Sequence, residues 1–278
     1  MKKYIILIAI IILVKSLTAF YGYEVFKINL GDTKSNAMGN CYLSASQLAT
    51  AAIYDPALLG EVEQTEASFN MRFKTGSFDY VATSNIDFGP SEKKRGTISP
   101  HLKVSSVGVA FPLVKAECWQ LGMGLAYHTF VDYSAVLNYN ANHDVNDKGG
   151  KNAFVSGFGF SLMKQFNLGI SYHNSFYSRS ITTGYNNDDV VYEMPGDFLL
   201  FSSSYLINEK TKLSASYKIV NTIYYPSENL CPMEADILTL GVNQKFGQDN
   251  LVVQFSTIFN SKFYDPYRKD VNQINIWI

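Results

Sequence analysis

"FVSGFGFSLMKQFNLGISYHNSFYS", Phe154 to Ser178, is the stretch on which the fold turns. Its opening alternates: Phe154, Ser156, Phe158, Phe160 and Leu162 take one parity, and Val155, Gly157, Gly159 and Ser161 take the other. A strand sends two such sets to opposite faces. "MKQFN" (Met163–Asn167) then reads as a short connection, and "NLGISYHNSFYS" resumes the alternation with Leu168, Ile170 and Tyr172 on one side.

The same period runs through the rest of the chain. Ala67, Phe69, Met71 and Phe73 oppose Ser68, Asn70, Arg72 and Lys74. Leu121, Met123, Leu125 and Tyr127 oppose Gly122, Gly124, Ala126 and His128. Leu213, Ala215, Tyr217 and Ile219 share a parity, as do Leu251, Val253, Phe255, Thr257 and Phe259. A soluble β-sandwich also alternates, but with strands of about 5–6 residues. Here several segments run past about 10 residues, and the face opposite the aromatics is Gly, Ser, Asn and Lys. That pattern is the signature of a transmembrane antiparallel β-barrel, since in lipid only a closed sheet satisfies every backbone group.

The connections agree. "MKQFN", "NEKTK" and "FGQDN" are short, whereas "NYNANHDVNDKGGKN", "TGYNNDDVVYEMPG" and "YYPSENLCPME" read as longer polar loops. Such barrels keep short turns on the periplasmic side and long loops outside. The count is about 10–14 strands, with Thr65–Phe88 either one long strand kinked at Gly76 or several short ones. "SEKKRG" (Ser91–Gly96) reads as a solvated loop suited to anionic headgroups. Trp277 is penultimate, so the end at Ile278 reads as atypical or truncated.

Residues 1–19 read as a secretory signal: Lys2 and Lys3, an apolar run Tyr4–Val14, then Ser16-Leu17-Thr18-Ala19. The run is shorter than the roughly 20 residues of a spanning helix. Cleavage before Phe20 removes three lysines and takes the net charge from −1 to −4. A mildly acidic exported chain carries no basic footprint for nucleic acid. Three cysteines, Cys41, Cys118 and Cys231, leave at least one unpaired, and no spacing suggests a metal or other cofactor site. The organisation expected is a signal at 1–19, a hatch at 20–62 and a barrel at 63–278.

"NAMGNCYLSASQLATAAIYDPALLG" (Asn36–Gly60) resembles the N-terminal hatch of the FadL-type outer-membrane transporters of long-chain fatty acids and hydrocarbons. The matching positions are Met38-Gly39, the small-residue run Ala45–Ala52, and Asp55-Pro56-Ala57, where the family usually has Asn before Pro. Asp keeps the option of an Asx-type turn. Phe166–Tyr185 and Tyr192–Tyr217 look like later family strands in the right order. The resemblance implies a 14-stranded barrel around a small helical hatch, in the bacterial outer membrane, delivered by the barrel assembly machinery and surrounded by outer-membrane lipids. It implies passage of a hydrophobic small molecule such as a long-chain fatty acid, without chemistry. A mature N-terminus in the lumen would put Phe20, Tyr21, Tyr23 and Phe26 on the ligand path, with Met38, Gly39, Asp55, Pro56 and Ala57 in the hatch. A PorV-like sister group with the same hatch serves protein secretion as a scaffold or shuttle, and the hatch does not separate the two.

Two bland readings compete. "SASQLATAAIY" also suits a helix on a soluble core, and "FYGYEVFKINL" also suits a frayed terminus. An enzyme reading, a phospholipase-like barrel, rests on His173 and Ser175, which share a parity but lack an evident orienting partner. "NHDVNDKGG" fails as a calcium loop, because Lys148 stands at a ligand position and Val155 where a closing Glu belongs. Tyr127, Tyr172, Tyr217 and Tyr225 read as interfacial aromatics.

Overall fold

The structure is a computed structural model that describes residues 43, 47–82, 92–132, 135–140, 143–183, 186–195, 197–220, 235–246, 249–261 and 274–277. Among the described residues twelve strands form one sheet: β1 (Glu66–Ala82), β2 (Glu92–Lys115), β3 (Trp119–Asp132), β4 (Ala135–Asn140), β5 (His143–Leu162), β6 (Phe166–Thr183), β7 (Asn186–Pro195), β8 (Phe198–Asn208), β9 (Thr211–Val220), β10 (Ala235–Phe246), β11 (Asp249–Ser261) and β12 (Ile274–Trp277). The order is β1-β2-β3-β5-β6-β8-β9-β10-β11-β12; β4 pairs with β2 and β5, and β7 with β6. All strand pairs are antiparallel. Among the described residues β1 and β12 do not pair, so strand bonds do not close the sheet. No helix among the described residues is long and apolar enough to cross a membrane.

Burial runs opposite to that of a soluble protein. Phe154, Phe158, Leu162, Leu168, Ile170, Tyr172, Phe201, Leu213 and Leu240 are exposed, while Ser161, Ser171, Ser202, Ser204, Ser214 and Ser216 are buried. Register explains this. The pairs Met123↔Phe158, Phe158↔Ile170, Ile170↔Phe201, Phe201↔Tyr217 and Tyr217↔Leu238 form one continuous outer row. The next positions on the other parity, Gly122, Gly159, Gly169, Ser202, Ser216 and Thr239, form an inner row. A slip of one residue would exchange the faces, so the alternation itself pins the register.

Three connections lie at one end. Ala116–Cys118 joins β2 to β3, Met163–Gln165 joins β5 to β6, and Glu209–Lys210 joins β8 to β9. Backbone bonds Met163 N to Cys118 O (2.7 Å), Leu206 N to Gln165 O (2.8 Å) and Lys245 N to Lys210 O (2.7 Å) tie this ring together. Met163 and Lys164 adopt φ of 51° and 55°, a left-handed pair at the centre of the turn that Gln165 N closes onto Leu162 O at 3.0 Å.

At the other end three expected loops are strand. "SEKKRG" contributes Glu92–Gly96 to β2, paired with Ala82–Phe78 of β1. "NYNANHDVNDKGGKN" is largely β4 and the start of β5, and "TGYNNDDVVYEMPG" is mostly β7. Their polar composition suggested loops because no apolar face is needed where a hairpin rises past the main sheet; backbone pairing suffices. Thr65–Phe88 is resolved in favour of one strand through Ala82, with a register shift between Lys74 and Gly76.

Candidate functional site

The inner face wraps a plug. A 3-10 turn (Leu48–Thr50), a one-turn helix α1 (Ala51–Tyr54) and a second 3-10 turn (Pro56–Glu61) run in sequence. Ala51, Ala52, Ile53, Tyr54, Leu58, Leu59 and Val62 form the apolar core with Ala110, Ala153 and Val155 of the wall. Segments this short are not helical on their own account; packing holds them.

The small inner residues let plug backbone meet wall backbone. A Cβ on Gly122 would lie 2.0 Å from Leu59 O, one on Gly159 2.4 Å from Gly60 N, and one on Gly169 2.1 Å from the Pro56 carbonyl carbon. At Gly108 it would fall 2.2 Å from Ala49 O. These glycines are required for space. Polar contacts then fix the plug. Ala57 N donates to Ser202 Oγ at 2.7 Å, and Gln120 Nε2 donates to Val62 O. Asn167 Nδ2 donates to Glu61 Oε1 at 2.6 Å, and Lys212 pairs with the same carboxylate. Lys164 reaches Glu63 from the hairpin at 3.1 Å; that hydrogen bond, with Lys115 nearby, holds the exposed Glu63 carboxyl below the usual carboxylate range.

Beyond the plug the inner rows change from small to large. His173 stacks on Phe198 with ring centroids 4.0 Å apart, and Phe130 packs edge-on to His128 at 4.4 Å. Lys218 Nζ sits 4.3 Å from the Phe198 centroid, and Lys151 Nζ lies 5.7 Å from both Phe130 and Phe198. A desolvated ammonium over an aromatic face gains about 2 kcal/mol. Nearby, buried Asp132 accepts from His101 Nε2 (2.8 Å) and Lys103 Nζ (3.2 Å). Tyr54 connects this aromatic cluster to the plug, its hydroxyl 3.2 Å from His128 Nδ1. That nitrogen also lies 3.0 Å from Ser105 O, which can only accept, so Nδ1 carries the ring proton. Aromatic walls with a few fixed charges can hold an apolar molecule with an anionic end.

Among the residues the sequence singled out, Asp55, Pro56 and Ala57 are buried in the plug. Asp55 makes no side-chain cap onto the following turn; Leu58 N bonds the Asp55 backbone oxygen instead (3.0 Å), so the Asx-type turn is corrected to a backbone one. Pro56 explains it: the residue before proline is held extended, and proline starts the turn. Phe20, Tyr21, Tyr23, Phe26, Met38 and Gly39 lie outside the described residues, as do Tyr225, Cys41 and Cys231. Cys118 is a free, exposed thiol. Tyr127 and Tyr172 bond Asn152 (2.9 Å) and Asp197 (2.6 Å).

His173 and Ser175 share the inner face, but the imidazole Nε2 pairs with Ser171 Oγ at 3.1 Å, and Ser175 N donates to Asp197. His173 Nδ1 has no hydrogen-bond partner. The triad geometry, with a third group orienting the base, is therefore not assembled there.

Lys151, Lys218, Phe130, Phe198 and His128 were missed as a group. Their signal was available: each is a large or charged residue on the parity otherwise given to Gly, Ser and Ala.

The chain is thus an antiparallel sheet of barrel type, apolar outside and plugged inside. Its fold is similar to that in a crystal structure of the P. putida toluene transporter TodX, with a TM-score of 0.55 and 13% identity over 84% of this chain and 71% of that one. A second crystal structure of the Pseudomonas putida toluene transporter TodX gives a TM-score of 0.43 at 12% identity over 85% of each chain, too low to add weight. No protein-family model matches the sequence, and no curated protein matches it. The likeness is one of fold: a long-stranded antiparallel sheet wrapped on an internal plug.

Proposed function

We propose that the protein carries hydrophobic small molecules across the bacterial outer membrane. The observation that carries this is the inverted burial: large apolar residues outside, and a plug docked on glycine and serine inside. The described likeness to a toluene transporter supports the same reading. Residues 1–19 act as the export signal, 20–62 as the hatch and 63–278 as the wall, which the barrel assembly machinery inserts among outer-membrane lipids. Phe20, Tyr21, Tyr23 and Phe26 extend the apolar path toward the Phe198 cluster, with Met38 and Gly39 in the hatch. The ligand is a long-chain fatty acid or similar amphiphile: Lys151 and Lys218 take its anionic end while Phe130 and Phe198 meet its chain. No chemical step is involved; apolar burial, about 25 cal/mol per Å², drives entry.

The test is uptake by liposomes carrying the purified protein. Uptake of a fluorescent long-chain fatty acid above that of empty liposomes is expected. No uptake of that tracer or of a neutral hydrocarbon would refute transport; uptake of the hydrocarbon alone would refute the fatty-acid assignment.

A further inference from the structure

Between the plug's end and the ring of short turns lies a cavity of about 430 Å³, away from the aromatic cluster around Phe198. Lys212 at this cavity and Lys218 at the Phe198 cluster share the inner face of β9, six residues and about 20 Å apart. Five lysines and four glutamates line the cavity. One of the four, Glu61, is the last residue of the plug's second 3-10 turn. Its carboxylate takes both Lys212 Nζ and Asn167 Nδ2. Without Glu61 the lining would hold five cations against three anions, with Lys115, Lys210 and Lys245 beside the vacated lysine. Asn167 is buried, and its Oδ1 has no hydrogen-bond partner, since a carboxylate offers no proton. The contact is therefore only half satisfied by Glu61.

We propose that this mouth is a carboxylate-binding station at which Glu61 is a built-in placeholder. The arriving ligand is a carboxylic amphiphile, so the proposal rests on the transport reading and deepens it. Its carboxylate head takes the place of Glu61 on Lys212 and Asn167. Displaced, Glu61 no longer ties the plug to β6 and β9, and the plug's end is released while the ligand occupies the exit. The Phe198 cluster and the mouth are then two contact points on one path, with the plug between them.

The test is calorimetric titration of the detergent-solubilised full chain with decanoate, decanol and inorganic phosphate, on wild type, E61Q, K212M and E61Q/K212M. Heat-modifiable migration on gels verifies that each is folded. E61Q removes the competing anion while keeping size, so decanoate should bind about tenfold tighter. K212M should weaken decanoate binding and cancel the gain in the double variant. Decanol should bind all four within about twofold. Equal decanoate affinity in wild type and E61Q, with binding in both, overturns the placeholder and leaves transport standing. Retention of the E61Q gain in the double variant overturns Lys212 as the receiving group, and a folding failure of K212M is answered by K212R, which should keep binding. Phosphate competing as well as decanoate overturns the amphiphile assignment. No binding of decanoate or decanol to any form overturns both readings.

Discussion

Consider Gly122→Ala. Gly122 is buried in β3, facing the second 3-10 turn, and a Cβ there would lie 2.0 Å from Leu59 O and 3.0 Å from Leu59 C. Ordinary contact begins at 3.4 Å, so the methyl intrudes by about 1.4 Å. Neither partner can rotate away, because both are backbone. The plug must retreat, and a retreat of that size lengthens Ala57 N–Ser202 Oγ from 2.7 Å to beyond hydrogen-bond reach. Overpacking costs about 1–3 kcal/mol, and each lost bond about 1 kcal/mol more. We expect docking of the plug to weaken by about 2–4 kcal/mol in sum. Gly124→Ala is the graded comparison: its Cβ meets Leu59 Cδ2 at 2.8 Å, the end of a side chain that can turn, and the fixed Ala52 Cβ only at 3.0 Å, so the effect should be smaller than that of Gly122→Ala. The assay is ion conductance in planar bilayers together with protease protection of residues 47–62. Gly122→Ala should show added conductance and a clipped plug, with the wall still folded. Wild-type conductance and protection in Gly122→Ala would refute the close approach of plug and wall.

Phe158→Lys tests the outer face. Phe158 is exposed in the middle of an outer row, and a cation there should cost about 2–4 kcal/mol of stability in lipid; unchanged denaturant midpoints in liposomes would show that this face does not meet hydrocarbon. Tyr54→Phe keeps the ring 5.3 Å from His128 but removes the hydroxyl near Nδ1, and should loosen the plug by about 1 kcal/mol, seen as earlier thermal loss of protease protection.

The sequence by itself determined the strands, their faces and the presence of a distinct small-residue segment. Alternation is a local property: Phe154, Phe158 and Leu162 can only lie opposite Val155, Gly157 and Ser161 once the backbone is extended. Polar composition misled at "SEKKRG" and "NYNANHDVNDKGGKN", where pairing with a neighbour, not apolar burial, makes the strand. Only the tertiary structure decided what the glycines are for. Gly122, Gly159 and Gly169 come from three strands and are neighbours only through register, so their common row against the plug has no trace in any one segment. The same holds for the charges. Glu61 and Lys212 are separated by 151 positions, and Lys218 reaches Phe198 across the β8–β9 pair. Chemistry of this kind depends on distances across the lumen, and those are set by how the sheet wraps its plug.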